Sequence, residues 1–315
     1  MAGNPIVVGV DLSPESLRAA ELAARIADAA GVRLVPVHAV PVVPLATGLI
    51  GLEPRPLFSP RLQGELTRAS RNRVVRTLQG VLPAATVERL EVDTGPAPFV
   101  IATVARRRRA ELVVLGGKQH GALARGLGRS TAHYLVRRLD VPVLVVGDSA
   151  APIARVLAAV DLSTASLPTI KVAERFAHLF GARLRLLHVV EPLPFTNLLP
   201  QALDEAEYHR RSRGIFDRLP SPFQAVARED RVVRNGVPAE TIAEEAGAWH
   251  ADLLVVGSHG KGWVDRILVG STTERLVTEL PTSILVVPLK RIRGVTSASK
   301  ASHQSRKRPA RRGVK

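Results

Sequence analysis

The apolar positions of this chain fall into short, unbroken, β-branched runs separated by longer stretches with helical spacing. In the first half the runs predict strands over 5–11, 32–38, 86–92, 111–116 and 142–147, and the intervening stretches predict helices over 14–30, 60–80, 97–109 and 130–139. The strand runs are continuously apolar rather than alternating. That requires cover on both faces, as in a parallel sheet with helices on either side. Right-handed crossovers then give an α/β, doubly wound sheet. Ser13, followed by Pro14, and Ser163 supply hydroxyl caps for the first helix of each half.

The whole pattern occurs twice. "VVGVDLS" (7–13) matches "LAAVDLS" (157–163), and "GVRLVPVHAVP" (31–41) matches "GARLRLLHVVE" (181–191). "TGPAPFVIA" (94–102) matches "NGVPAETIA" (235–243), "AELVVLG" (110–116) matches "ADLLVVG" (251–257), and "VPVLVVG" (141–147) matches "PTSILVVP" (281–288). The offset is 150 residues early and 141 late, so the first copy carries nine extra residues, placed near Pro41 to Pro60. This is a tandem duplication of a whole domain rather than a solenoid. Two five-stranded parallel-sheet domains are expected, over 1–148 and 152–289, joined near "DSAAP".

Composition fits this reading. The chain has 315 residues, 46% apolar but only 3% aromatic, so each core must be built from Val, Leu, Ile and Ala. There is no cysteine, which excludes disulfides and thiolate metal sites and fits a reducing compartment. "MAGNPIVVGVDLS" reads directly as a strand rather than a signal peptide. No window approaches the roughly 18 apolar residues of a membrane span. A cytoplasmic protein with no membrane partner is expected.

The net charge of +16 suggests a nucleic-acid partner until it is located. Residues 290–315 hold ten Lys and Arg and no acid, leaving only +6 on the first 289 residues. This low-hydrophobicity basic tail is expected to be disordered, either as a solubilising extension or as a non-specific contact with a polyanion. It lacks the interleaved aromatic residues that stack on bases. "ARRRRAE" (105–111) ends a predicted helix and reads as a solvated helix end.

The candidate chemistry lies in "DLLVVGSHGKGWVDRILVGSTTERL", from Asp252 to Leu276. The strand ending at Val256 and Gly257 leads into a loop, and a helix is expected to start near Ser271. Helix starts offer unpaired N–H groups and the positive end of a dipole to anions. Gly257, Gly260 and Gly270 would wall the loop and let phosphate oxygens approach, with Ser271 and Thr272 at the helix start. His259 and Lys261 lie inside the loop, where they either touch phosphate or are solvated, and Trp263 reads as a surface anchor. No Walker-type G-x-x-x-x-G-K-[ST] is present. Asp161, at the end of the first strand, is placed across the crevice as an acceptor for nucleoside donors. His38 and His188 end the second strands. No second ligand repeats at metal spacing, so they read as packed, hydrogen-bonded side chains and no metal site is expected.

The spacing Gly257-x2-Gly260-x9-Gly270-Ser271, with Asp161, resembles the ATP-binding signature of the universal stress protein family. The resemblance covers both copies and implies strand order 3-2-1-4-5. It also implies ATP, with Mg²⁺ as an accompanying ion, held by Asp161, the backbone near Val189 after strand two, the glycine loop and Ser271. It further implies pairing through the last strand, either as a homodimer or as a pseudo-dimer inside one chain. The first copy departs from the signature: Gln119 stands for Gly260 and Arg129 for Gly270, although Asp11, Gly116 and Ser130 keep their types. The first copy is therefore expected to bind ATP poorly or not at all, unless Arg129 and Lys118 serve another anion.

The leading function is a stress-response sensor or regulator that binds ATP in its second domain. No Ser-His-Asp or paired-carboxylate set can be assembled, so catalysis is limited to slow ATP hydrolysis at most. The alternatives are a polyanion- or nucleic-acid-associated protein acting through its tail, and a related fold taking AMP or a flavin-type cofactor.

Overall fold

The computed structural model describes residues 3–41, 60–117, 131–148, 152–191, 226–258 and 269–288. The first domain runs β1 (Ile6–Gly9), α1 (Pro14–Ala30), β2 (Leu34–Val40), α2 (Pro60–Leu78), α3 (Ala84–Val87), β3 (Glu91–Thr94), α4 (Ala97–Arg108), β4 (Leu112–Gly116), α5 (Thr131–Arg138) and β5 (Val143–Val146). The second runs β6 (Arg155–Ala159), α6 (Leu167–Phe180), β7 (Arg183–Val190), β8 (Arg231–Asn235), α7 (Pro238–Ala248), β9 (Leu253–Gly257), α8 (Ser271–Glu279) and β10 (Ser283–Val287).

The strands form one ten-stranded sheet, ordered β3-β2-β1-β4-β5-β10-β9-β6-β7-β8. Each half has the order 3-2-1-4-5, parallel throughout, and the halves meet at an antiparallel seam between β5 and β10. There Leu144 pairs Leu285, Val145 pairs Ile284 and Val143 pairs Val286. Leu144 and Leu285 are equivalent in the two repeats, so the seam has the self-complementary form of a two-fold dimer interface inside one chain. The copies thus take the internal pairing.

Alternation along each strand divides the core into two layers that both run across the seam. Ile6, Val8, Leu144, Val156 and Leu285 face α1, α2 and α6. Val7, Val113, Val145, Leu254 and Ile284 face α4, α5, α7 and α8. Alanine lets the helices sit close to the sheet: Ala19, Ala20, Ala23 and Ala27 are buried on α1. Ser13 caps α1, its Oγ accepting from Ser16 N at 3.2 Å, and Gly31 ends the helix with φ 65°.

Three sequence expectations need correction. The third strand was expected over 86–92, but β3 begins at Glu91 and α3 occupies Ala84–Val87. Val87 and Leu90 are both buried at helical-turn spacing, and Val87 N donates to Pro83 O at 3.1 Å. In the second domain Ser163 heads a 3₁₀ turn and α6 starts only at Leu167. Pro168 lacks an N–H and tolerates an α-helix only in its first turn, which sets the later start. The second strands run past the histidines, to Val40 and Val190, because β3 and β8 continue the pairing that far. Val189 therefore lies inside β7, paired with Arg234, not after the strand.

The helix pairs outside the sheet differ between halves. Phe99 of α4 meets Tyr134 of α5 with ring centroids 4.9 Å apart, while Glu240 of α7 and Arg275 of α8, at the equivalent positions, form an ion pair at 2.9 Å. At the seam, His133 Nε2 and Thr278 Oγ1 lie 3.1 Å apart, and Arg137 is ion-paired with Glu274.

Candidate functional site

The carboxyl ends of β6 and β9 are adjacent because the strand order reverses there, opening a crevice between them. The turn after β6 is built by Asp161. Its Oδ1 accepts from Ser163 N at 2.9 Å, Ser163 Oγ at 2.6 Å and Ser166 Oγ at 2.6 Å, while Asp161 N donates to Ser166 Oγ at 3.0 Å. Leu162, between them, has φ 61°. The first domain repeats the turn. Asp11 Oδ1 accepts from Ser13 N and from the Ser13 hydroxyl, Asp11 N donates to Ser16 Oγ, and Leu12 has φ 66°. A leucine in the left-handed region is uncommon, and the carboxylate holds it there by bonding two residues on. Asp161 thus has a structural task shared with Asp11, and Ser16, Ser166, Leu12 and Leu162 belong to the same turn. The repeated D-L-S-x-x-S was its visible signal.

On the other side of the crevice, Val256 and Gly257 end β9. Ser258 N donates to Val287 O at 2.8 Å and Gly270 N donates to Ser258 O at 2.9 Å, which returns the chain to the strand end before α8 starts. Thr273 Oγ1 donates to Gly257 O at 2.8 Å, tying the first turn of α8 to β9. Gly270 is the N-cap of α8, with φ −60° and ψ 143°, and has no side chain to cap it. The first N–H groups of α8, at Ser271 and Thr272, therefore receive no cap from the N-cap residue at the mouth of the crevice. The backbone at Gly270 is open to any residue, so its glycine is not required by φ and ψ. His259, Gly260, Lys261 and Trp263 lie outside the described residues, as do Lys118, Gln119, Arg129, Ser130 and the tail from 290 to 315.

The glycine kept in both copies has a packing reason. A Cβ on Gly116 would lie 2.5 Å from the Glu15 carbonyl carbon and 2.6 Å from Ser16 N. Glycine at the end of the fourth strand admits the first turn of α1. The crevice of the first domain is a cavity of about 250 Å³, with Asp11, Ser13, Gly116, Thr131 and His133 in its wall together with Val277 of the second domain.

The two histidines are packed and bonded. His38 Nδ1 is 2.7 Å from Val10 O and its Nε2 is 2.8 Å from Ser70 Oγ; His188 Nδ1 is 2.9 Å from Val160 O. Among the described residues no group of three or more His, Cys, Asp or Glu is placed to hold a metal ion, and no helix is long and apolar enough to cross a membrane.

The profile of the universal stress protein family matches residues 4–147 and again 152–288. A universal stress protein of Mycobacterium tuberculosis is 31% identical over 305 residues, 89% of this chain and 94% of that one. A single-copy relative from Thermus aquaticus is 33% identical over 139 residues, 42% of this chain and 96% of its own length. Against another M. tuberculosis relative, 34% identical, the match spans 56% of this chain and 61% of the relative. Among solved structures, a universal stress protein from Archaeoglobus fulgidus superposes with TM-score 0.62 over 92% of this chain and 98% of its own, at 18% identity, a likeness of fold. With both halves matched and the strand order of each half the same, the chain belongs to the universal stress protein family, as a tandem member carrying two copies of its domain.

Proposed function

We propose that the second domain binds ATP and that the protein acts as a cytoplasmic sensor or regulator in the stress response. The observation that carries this reading is the start of α8, whose N-cap is Gly270, a residue with no capping side chain of its own, beside the end of β9. A triphosphate there would accept from the backbone at Gly270, Ser271 and Thr272 and from the Ser271 hydroxyl, with the favourable end of the helix dipole behind them. His259, Gly260 and Lys261 complete the sequence signature. Asp161, with Val189 on the neighbouring strand, stands at the nucleoside end, where a carboxylate accepts ribose or adenine donors without facing phosphate. When bound, ATP with Mg²⁺ would supply a triphosphate whose state the protein reads; the chain's own residues bind and orient it.

ATP titration followed by tryptophan emission, with Gly270→Arg as the comparison, tests this. The extended φ and ψ at 270 suit arginine, and the change copies Arg129 of the first copy into the second. Loss of ATP binding with unchanged circular dichroism is expected, and an unchanged affinity refutes the site. Deleting 290–315 separates this reading from polyanion binding by the tail, because ATP affinity then survives.

A further inference from the structure

At the opposite end of the strands, by the amino ends of β1 and β2, four arginines line one concavity of the first domain. Arg33 precedes β2, Arg89 precedes β3, and Arg107 and Arg108 end α4; with Pro5 and Val35 they enclose a cavity of about 340 Å³. No carboxylate is in its lining. Glu91 pairs with both Arg107 and Arg108, and sets one negative charge against four positive ones. The negative end of the α4 dipole accounts for cations at its last turn. It does not account for Arg33 and Arg89, which come from other elements.

The second domain provides an internal comparison. Arg183 stands where Arg33 does, but Asp230 stands where Arg89 does, and Ala248 and Trp249 stand where Arg107 and Arg108 do. There the charges are closed on themselves. Arg183 donates to Asp230 at 2.7 Å, Arg185 donates to Glu245 at 2.9 Å, and the Arg185 guanidinium lies 4.4 Å from the centre of the Trp249 ring. Both carboxylates are buried, Asp230 at 5% and Glu245 at 4% exposure. The same corner of one fold has its charges paired off in one copy and is cationic in the other.

We propose that this corner of the first domain binds a small phosphate-bearing anion, a polyphosphate or the phosphate end of a phosphorylated metabolite, held by Arg33, Arg89, Arg107 and Arg108. Guanidinium forks match pairs of phosphate oxygens, and their charge does not titrate. A concavity lined by one sign of charge concentrates the field on a compact ligand. An extended nucleic-acid backbone would call for a stripe of cations rather than a pocket. The site lies at the other end of the strands from the ATP crevice and does not depend on it.

Calorimetric titration of the full chain with inorganic tripolyphosphate at low ionic strength tests the proposal. Arg89→Asp places at 89 the carboxylate that the second domain carries at 230, and Arg61→Asp makes the same charge change at an exposed position of α2. Arg89→Asp is expected to weaken binding about tenfold or more, and Arg61→Asp by less than about twofold. The same drop is expected in a Gly270→Arg background, where the triphosphate contact proposed for the second domain is absent. Equal affinities for Arg89→Asp and Arg61→Asp overturn the site and assign the binding to overall charge. A loss confined to a single-stranded oligonucleotide, with tripolyphosphate unaffected, overturns it in favour of nucleic acid. Arg33→Gln, at an exposed position, should weaken binding in the same direction; it decides the matter alone if circular dichroism shows Arg89→Asp misfolded.

Discussion

Leu144 and Leu285 occupy the same place in the two repeats, and they pair with each other at the centre of the sheet, both fully buried. The two domains therefore share apolar surface of the kind found inside a single domain. Leu144→Ala or Leu285→Ala should each cost about 3 kcal/mol, as truncation of buried leucines does. Urea unfolding followed by circular dichroism should remain one transition, moved to lower denaturant. Two separate transitions, with only one displaced, would show that the halves unfold independently.

The helices flanking this seam are not self-matching. His133 and Arg137 of α5 face Thr278 and Glu274 of α8. Glu274→Arg would replace the ion pair with two cations, the introduced guanidinium and that of Arg137, facing each other. A loss of about 1–2 kcal/mol is expected, and adding Arg137→Glu should restore much of it, a coupling read from a double-mutant cycle. Additive losses would show that the pair contributes only as a solvated contact.

Gly116 and Gly64 should respond in opposite ways to the same change. Gly116→Ala forces a Cβ into the backbone of Glu15 and Ser16 and should destabilise by about 2 kcal/mol. Gly64, within α2, has nothing within 4 Å of an added Cβ, and Gly64→Ala should stabilise by about 0.5–1 kcal/mol. Thermal melts of the two variants check both signs.

Glu174 of α6 has its pKa raised above the ordinary 4.5, chiefly by desolvation and against the pull of Lys171. A raised carboxyl pKa means that folding favours the protonated form. That contribution is complete below the unfolded pKa and is lost as pH rises through the folded one. Glu174→Gln should therefore raise stability at neutral pH, and the gain should fade in acid. Denaturant midpoints compared across pH test it; a gain that persists unchanged in acid would rule out desolvation as the cause.

The fold was legible because its signals are local and doubled. Continuous apolar runs gave the strands, and the repeat offsets showed that two copies of one domain were present. The third strand was misplaced because "TVERLEV" (86–92) mixes Val87, Leu90 and Val92 with charged residues, and Val87 and Leu90 stand three apart, a spacing that also suits a turn of helix. Part of the candidate site was visible in the same way, since Gly257, Gly270 and Ser271 share one stretch of the chain and Asp161 lies in a motif that the repeat doubles. What sequence could not show were tasks set by contact across elements. The need for glycine at 116 comes from Glu15 and Ser16, a hundred residues away. The cationic corner required Arg33, Arg89, Arg107 and Arg108 to be gathered from three connections, although only the last two stood in a conspicuous run.

The internal seam has an evolutionary consequence. When two identical chains associate, every substitution at their junction appears twice and must suit itself. Fusion lifts that condition, and the halves of this protein have used the freedom: His133 and Arg137 stand on one side of the seam where Glu274 and Thr278 stand on the other. One gene product can in this way specialise one half while the other keeps the ancestral chemistry.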